Sequence, residues 1–431
     1  MPSTNNGSLI DLDFDGHNTL YATHGLHAFA AKCPPQLAKF AITKYSSPGD
    51  TILDPMAGSG TTLLEARLLG RNAVGFDIDP LSRLIASVKS RLLDDRRIEE
   101  AHITLSQRIS DGLNDSGSSE KSSDYERYIP SQFPNLDYWF SPVVQKNLAV
   151  LCLHISTTPM KEDVRDFFWA AFSSIILSKV SVANARDIIH SRHHFYKHER
   201  LPDVTEKFNR RVTSMRRQMS ELRDLMSQSP DTSVEMRQGD ARALSLGDET
   251  IDLIFTSPPY ATALDYPRAH FLAVGWMQEA LGVGLDVYKA RGAGYIGSER
   301  GKLDGELEKD KSLAQFAGAT TVINHISKED ARKGKLIRRY FRDMYQTLSE
   351  MSRVLRPERH AVIVVCPSHI RKVEVPTQKI FAQMASSLGL ELIHEHTRTI
   401  NAKRRVLPYM RESFGNRMST EYVLIFKKHG Y

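Results

Sequence analysis

Two regions of this chain alternate short apolar runs with helix-spaced apolar positions, and the stretch between them does not. In GDTILDPMAGSGTTLLEARLLGRNAVGFDIDP (49–80), TILD reads as a buried strand and PMAGSGT as a small-residue turn. TLLEARLLG has helical apolar spacing and ends at Gly70, a glycine suited to a helix C-terminus. NAVGFDID is a second strand ending in acids. A strand, Gly loop, helix and strand of this length make a parallel βαβ unit. The pattern resumes at VEMRQGDARAL (234–244), a strand ending at Asp240, and at IDLIFTSPPY (251–260). YFRDMYQTLSEMSRVLRPERHAVIVVCPS (340–368) reads as an amphipathic helix, a Pro/charged turn and an apolar strand. KIFAQMASSLGLELIHEHTRTI gives helix then strand, and STEYVLIFKK a final strand. The order predicts an α/β fold with a doubly wound sheet and a closing pair of strands.

Between these regions, residues 90–233 carry no parallel-sheet pattern. SPVVQKNLAVLCLHI, EDVRDFFWAAFSSIILSKV and DVTEKFNRRVTSMRRQMSELRDLM all read as helices, and NDSGSSEKSSDYER (114–127) as a polar loop. The expected division is a discontinuous catalytic unit, 1–90 with 234–431, and a helical insertion, 91–233, that could recognise nucleic acid. Residues 262–335, Gly-rich and charged, read as a loop-rich insertion, with GVGLDVYKARGAGYIGSERGK as loop. No fixed-period repeat appears.

Composition narrows the class. Of 431 residues, 41% are hydrophobic and 25% charged, ordinary for a globular protein of one elaborated domain or more. No apolar run reaches the ~20 residues of a membrane span. The polar, acidic start MPSTNNGSLIDLDFDG is no signal peptide. Cys33, Cys152 and Cys366 lie far apart, without metal-type spacing, which fits a reducing cytoplasm and gives no metal site. The net charge of +6 leans toward a polyanionic partner.

The chemistry sits at the predicted strand ends. Glycines in DPMAGSGT let backbone approach a ligand, and the helix that follows offers free N–H groups to an anion. The lysine of a phosphate-binding GxxxxGK[ST] loop is missing, so a carboxylate fits equally well. Asp77 is placed to accept from ribose hydroxyls and Asp240 from an adenine amino group. A nucleoside with an amino-acid tail satisfies all three, which describes S-adenosylmethionine (SAM). TSPPY then poses its own question. Two prolines cannot continue a sheet ladder, so the strand stops and a rigid turn projects from its carboxyl end.

With these residues in place, the sequence resembles the class I SAM-dependent amino-methyltransferases, particularly DNA N4-cytosine and N6-adenine methyltransferases. DPMAGSGT resembles their DPFxGSGT motif, with Met56 where phenylalanine is usual. GFDID resembles the ribose-binding motif, QGDA the adenine-binding motif, and TSPPY the catalytic [DNS]-P-P-[YFW] motif. HGLHAFAAKCPPQLAKFAI (24–42) is similar to the helix before the cofactor strand, departing from its usual form at Ala28, Ala30 and Cys33. The resemblance covers roughly 20–90 and 234–428. It implies a Rossmann-like sheet with a helical insertion, SAM as cofactor and transfer of a methyl group to a base amino nitrogen. The implied cofactor residues are Lys32, Asp54, Pro55, Met56, Ala57, Gly58, Ser59, Gly60, Thr61, Asp77, Ile78, Asp240, Ala241 and Thr256. The implied catalytic residues are Ser257, Pro258, Pro259 and Tyr260. The serine form of the motif goes mainly with cytosine N4. Adenine N6, or an amino group in RNA, stays open, as does a catalytically silent nucleic-acid binder. A cognate restriction endonuclease is a further implied partner.

An exocyclic amino nitrogen is a poor nucleophile, because its lone pair is delocalised into the ring. Acceptors on its N–H bonds favour a pyramidal nitrogen, and Ser257 Oγ with the Pro258 carbonyl can be those acceptors, held rigid by the prolines. Tyr260 offers a flat face to a base removed from its stack. A cytosine-C5 enzyme would need a Pro-Cys nucleophile, whereas Cys366 precedes its proline. Residues 186–223 hold ten Lys/Arg, five Asp/Glu and four histidines, suited to a phosphate backbone. Arg210, Arg211, Arg216, Arg217 and Arg268 are the expected DNA contacts, with NAKRR (401–405) and KGKLIRR (333–339) as further basic stretches. His190, His194 and His198 have helical spacing, but without a carboxylate or cysteine cluster a polar surface is preferred over a metal site. Asp265, Tyr266 and Arg268 lie close to the catalytic turn by connectivity alone.

Overall fold

The computed structural model describes residues 12–29, 32–114, 124–181, 202–227, 232–261, 265–300, 310–400 and 419–430. Nine strands are assigned among them: β1 Thr51–Asp54, β2 Asn72–Asp77, β3 Val234–Gln238, β4 Ile251–Thr256, β5 Leu355–Val365, β6 Ser368–Ile370, β7 Val373–Val375, β8 Leu390–Thr399 and β9 Thr420–Lys428. Seven form one sheet in the order β3-β2-β1-β4-β5-β9-β8, and β6 and β7 form a small hairpin. β1 to β5 run parallel, while β9 is antiparallel to both β5 and β8. The doubly wound sheet with a closing pair of strands is therefore present. Its order reverses between β1 and β4, where ligands bind in open α/β sheets.

Apolar side chains alternate between two faces of this sheet, as a pleat requires. Ile52, Leu253, Phe255, Val362 and Val364 pack with the helix Pro35–Tyr45, and Leu53, Ile254, Ala361 and Ile363 pack with Phe341, Met344 and Phe381 on the other face. All six residues of β4 are buried, so it reads as a continuous apolar run.

Three sequence expectations need correcting. The Pro/charged turn at 355–359 is part of β5. Pairing with β4 shifts register between Ile251 and Leu253, and Glu358 takes a φ of 64°, so a bulge absorbs Arg356 to Arg359 within the strand. Where described, residues 262–335 are not loop-rich. They hold the helices Tyr266–Trp276, Leu285–Arg291 and Ala317–Glu329, whose apolar residues join the two large cores. Asp265 caps the first of these, accepting from Arg268 N at 3.1 Å, a capping signal hidden among glycines and charges. The segment before β1 becomes helical only at Pro35, behind Pro34, because proline suits the first helical position.

The insertion is helical where described. Asp95–Asn114, Pro142–Thr157, Glu162–Ile175 and Val204–Met226 enclose one core. That core also takes Leu81, Ile85 and Val88 from the helix Pro80–Ser90, and Leu272 and Val274 from Tyr266–Trp276. The insertion is thus fused by shared burial to the helices Pro80–Ser90 and Tyr266–Trp276. No helix among the described residues is long and apolar enough to cross a membrane.

Candidate active site

β1 and β4 are neighbours, with Ile52 opposite Leu253 and Leu53 opposite Ile254. Their ends, about 200 residues apart in sequence, therefore leave the sheet side by side, at the reversal of strand order. One pocket opens there, enclosing about 930 Å³ of space, part of it continuous with solvent. It is lined by Lys32, Asp54, Pro55, Met56, Ala57, Gly58, Ser59, Thr61, Asp77, Ile78, Asp240, Ala241, Ser257 and Pro259 from the predicted set. Gly60, Thr256, Pro258 and Tyr260 are not part of this lining.

The Gly loop is held from beneath. Asp54 is buried; its Oδ2 accepts from Thr62 Oγ1 at 2.6 Å and its Oδ1 from Met56 N at 3.2 Å. Burial pushes its carboxyl up to about 6. Gly60 sits at φ 74°, and a Cβ there would lie 2.8 Å from the Cβ of Ala86, so glycine is required twice over. Gly58, at φ 50°, faces the pocket near Phe29. The helix Thr61–Leu68 then starts with its N–H groups at the pocket floor.

Asp77 ends β2. Its Oδ2 accepts from Gly58 N at 2.9 Å and its Oδ1 from Asp79 N at 2.8 Å. A carboxylate has further lone pairs to offer, so the edge open to the pocket can still accept. Burial, and next the charge of Asp79, push Asp77 up to about 7. Asp79 behaves oppositely. Burial would raise it, but the nearby His270 and hydrogen bonds from Ser82 N and Tyr288 outweigh burial and hold it below the usual carboxylate range. Its Oδ2 accepts from Tyr288 at 2.8 Å and Tyr295 at 3.0 Å, with His270 Nδ1 at 3.2 Å.

Asp240 lies two residues beyond β3. Its carboxylate forms a two-pronged pair with Arg242, at 2.9 and 2.6 Å, while still lining the pocket. Gly239 lets it approach, since a Cβ there would meet Phe76 at 2.5 Å. Lys32 Nζ donates to the His24 and His27 carbonyls at 2.9 and 3.1 Å. Burial depresses this ammonium to about 8.

The TSPPY turn, expected to be catalytic, has committed and uncommitted groups. Tyr340 donates to the Pro259 carbonyl at 3.0 Å, and the Tyr260 hydroxyl donates to Glu421 Oε1 at 2.6 Å. Gly297 packs against Tyr260 O, leaving 3.1 Å for a Cβ. Ser257 Oγ and the Pro258 carbonyl have no partner among the described residues, and Ser257 lines the pocket.

A family model covering N6 and N4 methyltransferases, described as DNA methylase, matches residues 8–86 and 251–431, more than half of the chain. The chain belongs to this DNA methylase family. The methylase is 25% identical to Type II methyltransferase M.MvaI of Kocuria varians over 97% of this chain and 94% of that one. It is 24% identical to Type II methyltransferase M.MjaII of Methanocaldococcus jannaschii over 58% of this chain and 61% of that one. A putative DNA modification methylase from Thermus thermophilus, solved with S-adenosyl-L-methionine, aligns at 17% identity over 45% of this chain and 54% of that one, with a TM-score of 0.23.

The methylase's expected DNA contacts divide. Arg210 and Arg217 are exposed on the helix Val204–Met226, as is Arg268 on its own helix. Arg211 is instead turned inward, donating to the Gly25 and Leu26 carbonyls. Arg216 grips Asp95 with two bonds of 2.9 Å and lies 3.4 Å from Glu99. Arg216 therefore joins two helices of the insertion, and Arg211 ties the insertion to the segment before β1, which corrects the expectation of a uniform basic face. His190, His194, His198 and NAKRR lie outside the described residues. Among the described residues no cluster of His, Cys, Asp or Glu could hold a metal, and all three cysteines are free.

Sequence reasoning missed Phe29, Gly294, Tyr295 and Ile296 as pocket lining, and His270, Tyr288 and Tyr295 around Asp79. The one readable signal is closeness in sequence to TSPPY, which points to Tyr266, also in the lining.

Proposed function

We propose that the methylase transfers a methyl group from SAM to the exocyclic amino nitrogen of a base flipped out of DNA, with cytosine N4 as the target. The observation that carries this reading is the Ser257 hydroxyl, which lines a glycine-floored pocket together with Asp77 and Asp240 and has no hydrogen-bond partner among the described residues, with Pro258 next to it on the turn. The donor set suits SAM. The Gly loop and the start of the helix Thr61–Leu68 would receive the amino-acid tail, Asp77 the ribose and Ile78, Asp240 and Ala241 the adenine. SAM supplies an electrophilic methyl group on a sulfonium leaving group. Ser257 and Pro258 take the two amino N–H bonds and direct the nitrogen lone pair at that carbon, so the N–C bond forms as the C–S bond breaks. The nitrogen, cationic after transfer, then releases one proton to solvent, with which the pocket is continuous, and the demethylated thioether leaves. Tyr340 and Gly297 fix the turn, so the acceptors need no reorganisation during the reaction.

Serine in place of a carboxylate favours cytosine over adenine, following the resemblance of TSPPY to N4-cytosine motifs. Incubation with labelled SAM and mixed-sequence DNA, then nucleoside mass analysis, tests the proposal. N4-methylcytosine is the expected product. N6-methyladenine alone overturns the base assignment and keeps the reaction class. Label in RNA but not in DNA overturns the substrate.

A further inference from the structure

Tyr260 is tethered to the far end of the sheet, not merely placed by its own turn. Its hydroxyl donates to Glu421 Oε1 at 2.6 Å, across 161 residues of sequence. Glu421 is the second residue of β9, and its other oxygen lies 3.0 Å from Arg398 Nη1. Arg398 is directly opposite Glu421 in the β8–β9 ladder, and its side chain is 5% exposed. Burying a guanidinium and a carboxylate is costly unless they are paired, and the ion pair holds the guanidinium against Glu421 although Arg398 Nε and Nη1 make no hydrogen bond among the described residues. Among the described residues, the further hydrogen bond of this pair goes to the phenol of Tyr260.

The rest of the turn gives this tether its meaning. Tyr340 fixes the Pro259 carbonyl and Gly297 crowds Tyr260 O, so the backbone is already rigid. The aromatic ring retains its own torsions, and a stacking platform works only in one plane. A charge-assisted hydrogen bond at the ring tip, from an acceptor itself clamped, removes that freedom. Both oxygens of Glu421 are engaged within the protein, one by Tyr260 and the other by Arg398.

We propose that Glu421, held by Arg398, is a positioning residue that sets the plane of the Tyr260 ring against the target base. The inference rests on the reading of TSPPY as the target-base turn. It assigns β8 and β9, distant from the cofactor motifs in sequence, a part in base capture and none in cofactor binding.

The test is a double-mutant cycle on Tyr260→Phe and Glu421→Gln, with kcat and KM for DNA and Kd for SAM measured for each protein. Tyr260→Phe keeps the stacking face and removes only the tether, so it remains informative should Glu421→Gln fold poorly. Each single variant is expected to lose about tenfold in kcat/KM for DNA, the factor attached to one charge-assisted hydrogen bond, with the loss in KM. SAM affinity should stay within about twofold of the parent, and the double variant should be no worse than the worse single one. A purely structural pair would lower the melting temperature and leave kcat/KM for DNA unchanged. That result, or losses that multiply in the double variant, overturns the proposal. If the parent protein transfers no label to DNA, the underlying reading of the turn fails instead, which separates the two outcomes.

Discussion

The strand ends and the helix Val204–Met226 both carry residue types that suit a nucleic-acid enzyme, but the fold treats them differently. At the ends of β1, β2 and β4, the predicted residues converge on one pocket although they come from positions 54, 77 and 257. On the helix, four arginines within eight positions split into two exposed, of which Arg210 pairs with Glu206, and two turned to partners elsewhere in the fold. Parallel strands must end on the same edge of a sheet, so a motif at a strand end has its location settled once the strand is recognised. A helix presents every side of itself, and which side faces a neighbour depends on what packs there. Motifs at strand ends are therefore worth more per residue than charge runs on helices.

The sharpest way to break this contrast is at the loop itself. Gly60→Ala should place a Cβ 2.8 Å from Ala86 at positive φ, destabilising the fold by about 2–5 kcal/mol from strain and overpacking together. Differential scanning calorimetry should show a large fall in melting temperature. A parent-like melting temperature would mean the loop is not held as described. Next in size, Asp77→Ala should weaken SAM binding by roughly 1.5–3 kcal/mol, the worth of hydrogen bonds to a charged acceptor, as read by isothermal titration. Unchanged affinity in a folded variant removes Asp77 from the ribose site.

Asp77 also predicts a pH dependence. Its carboxyl is raised from 3.8 to about 7, so in the free protein the protonated form is favoured below that pH. SAM hydroxyls need the ionised acceptor, so affinity should fall about tenfold between pH 8 and pH 6. Stability moves the other way. A raised acid binds more protons folded than unfolded, so its contribution is present below about pH 4 and is lost as pH rises to about 7. Asp77→Asn should flatten both trends. A profile that persists in that variant would place the titration elsewhere, with Asp54 and Glu65, pushed up to about 6 and about 7, as the next groups to examine.

The smallest effects should separate the arginines. Arg210→Glu with Arg217→Glu should weaken DNA binding and make its salt dependence shallower by roughly one to two in the log–log slope. Arg216→Ala should instead lower the melting temperature by a few degrees, leaving the salt slope unchanged. Equal salt-slope effects from both would erase the distinction between exposed and inward cations.

The sequence by itself determined the sheet, its parallel portion, the glycine-floored loop and the projecting turn. Those features are local: apolar runs of strand length, small residues at a turn and prolines that end a ladder are all written within a few consecutive residues. Tertiary structure decided the rest. Nothing local to Tyr288, Tyr295 or His270 shows that they converge on Asp79, because their contact spans about 200 residues and a stretch rich in glycine and charge. Nothing local to Arg398 or Glu421 ties them to Tyr260, since that link needs β9 inserted antiparallel between β5 and β8. Likewise Arg211 and Arg216 look like their exposed neighbours until the chain brings the Gly25 and Leu26 carbonyls, and Asp95, against them. A residue's neighbours along the chain settle its backbone, while the partner that consumes its charge is chosen by packing.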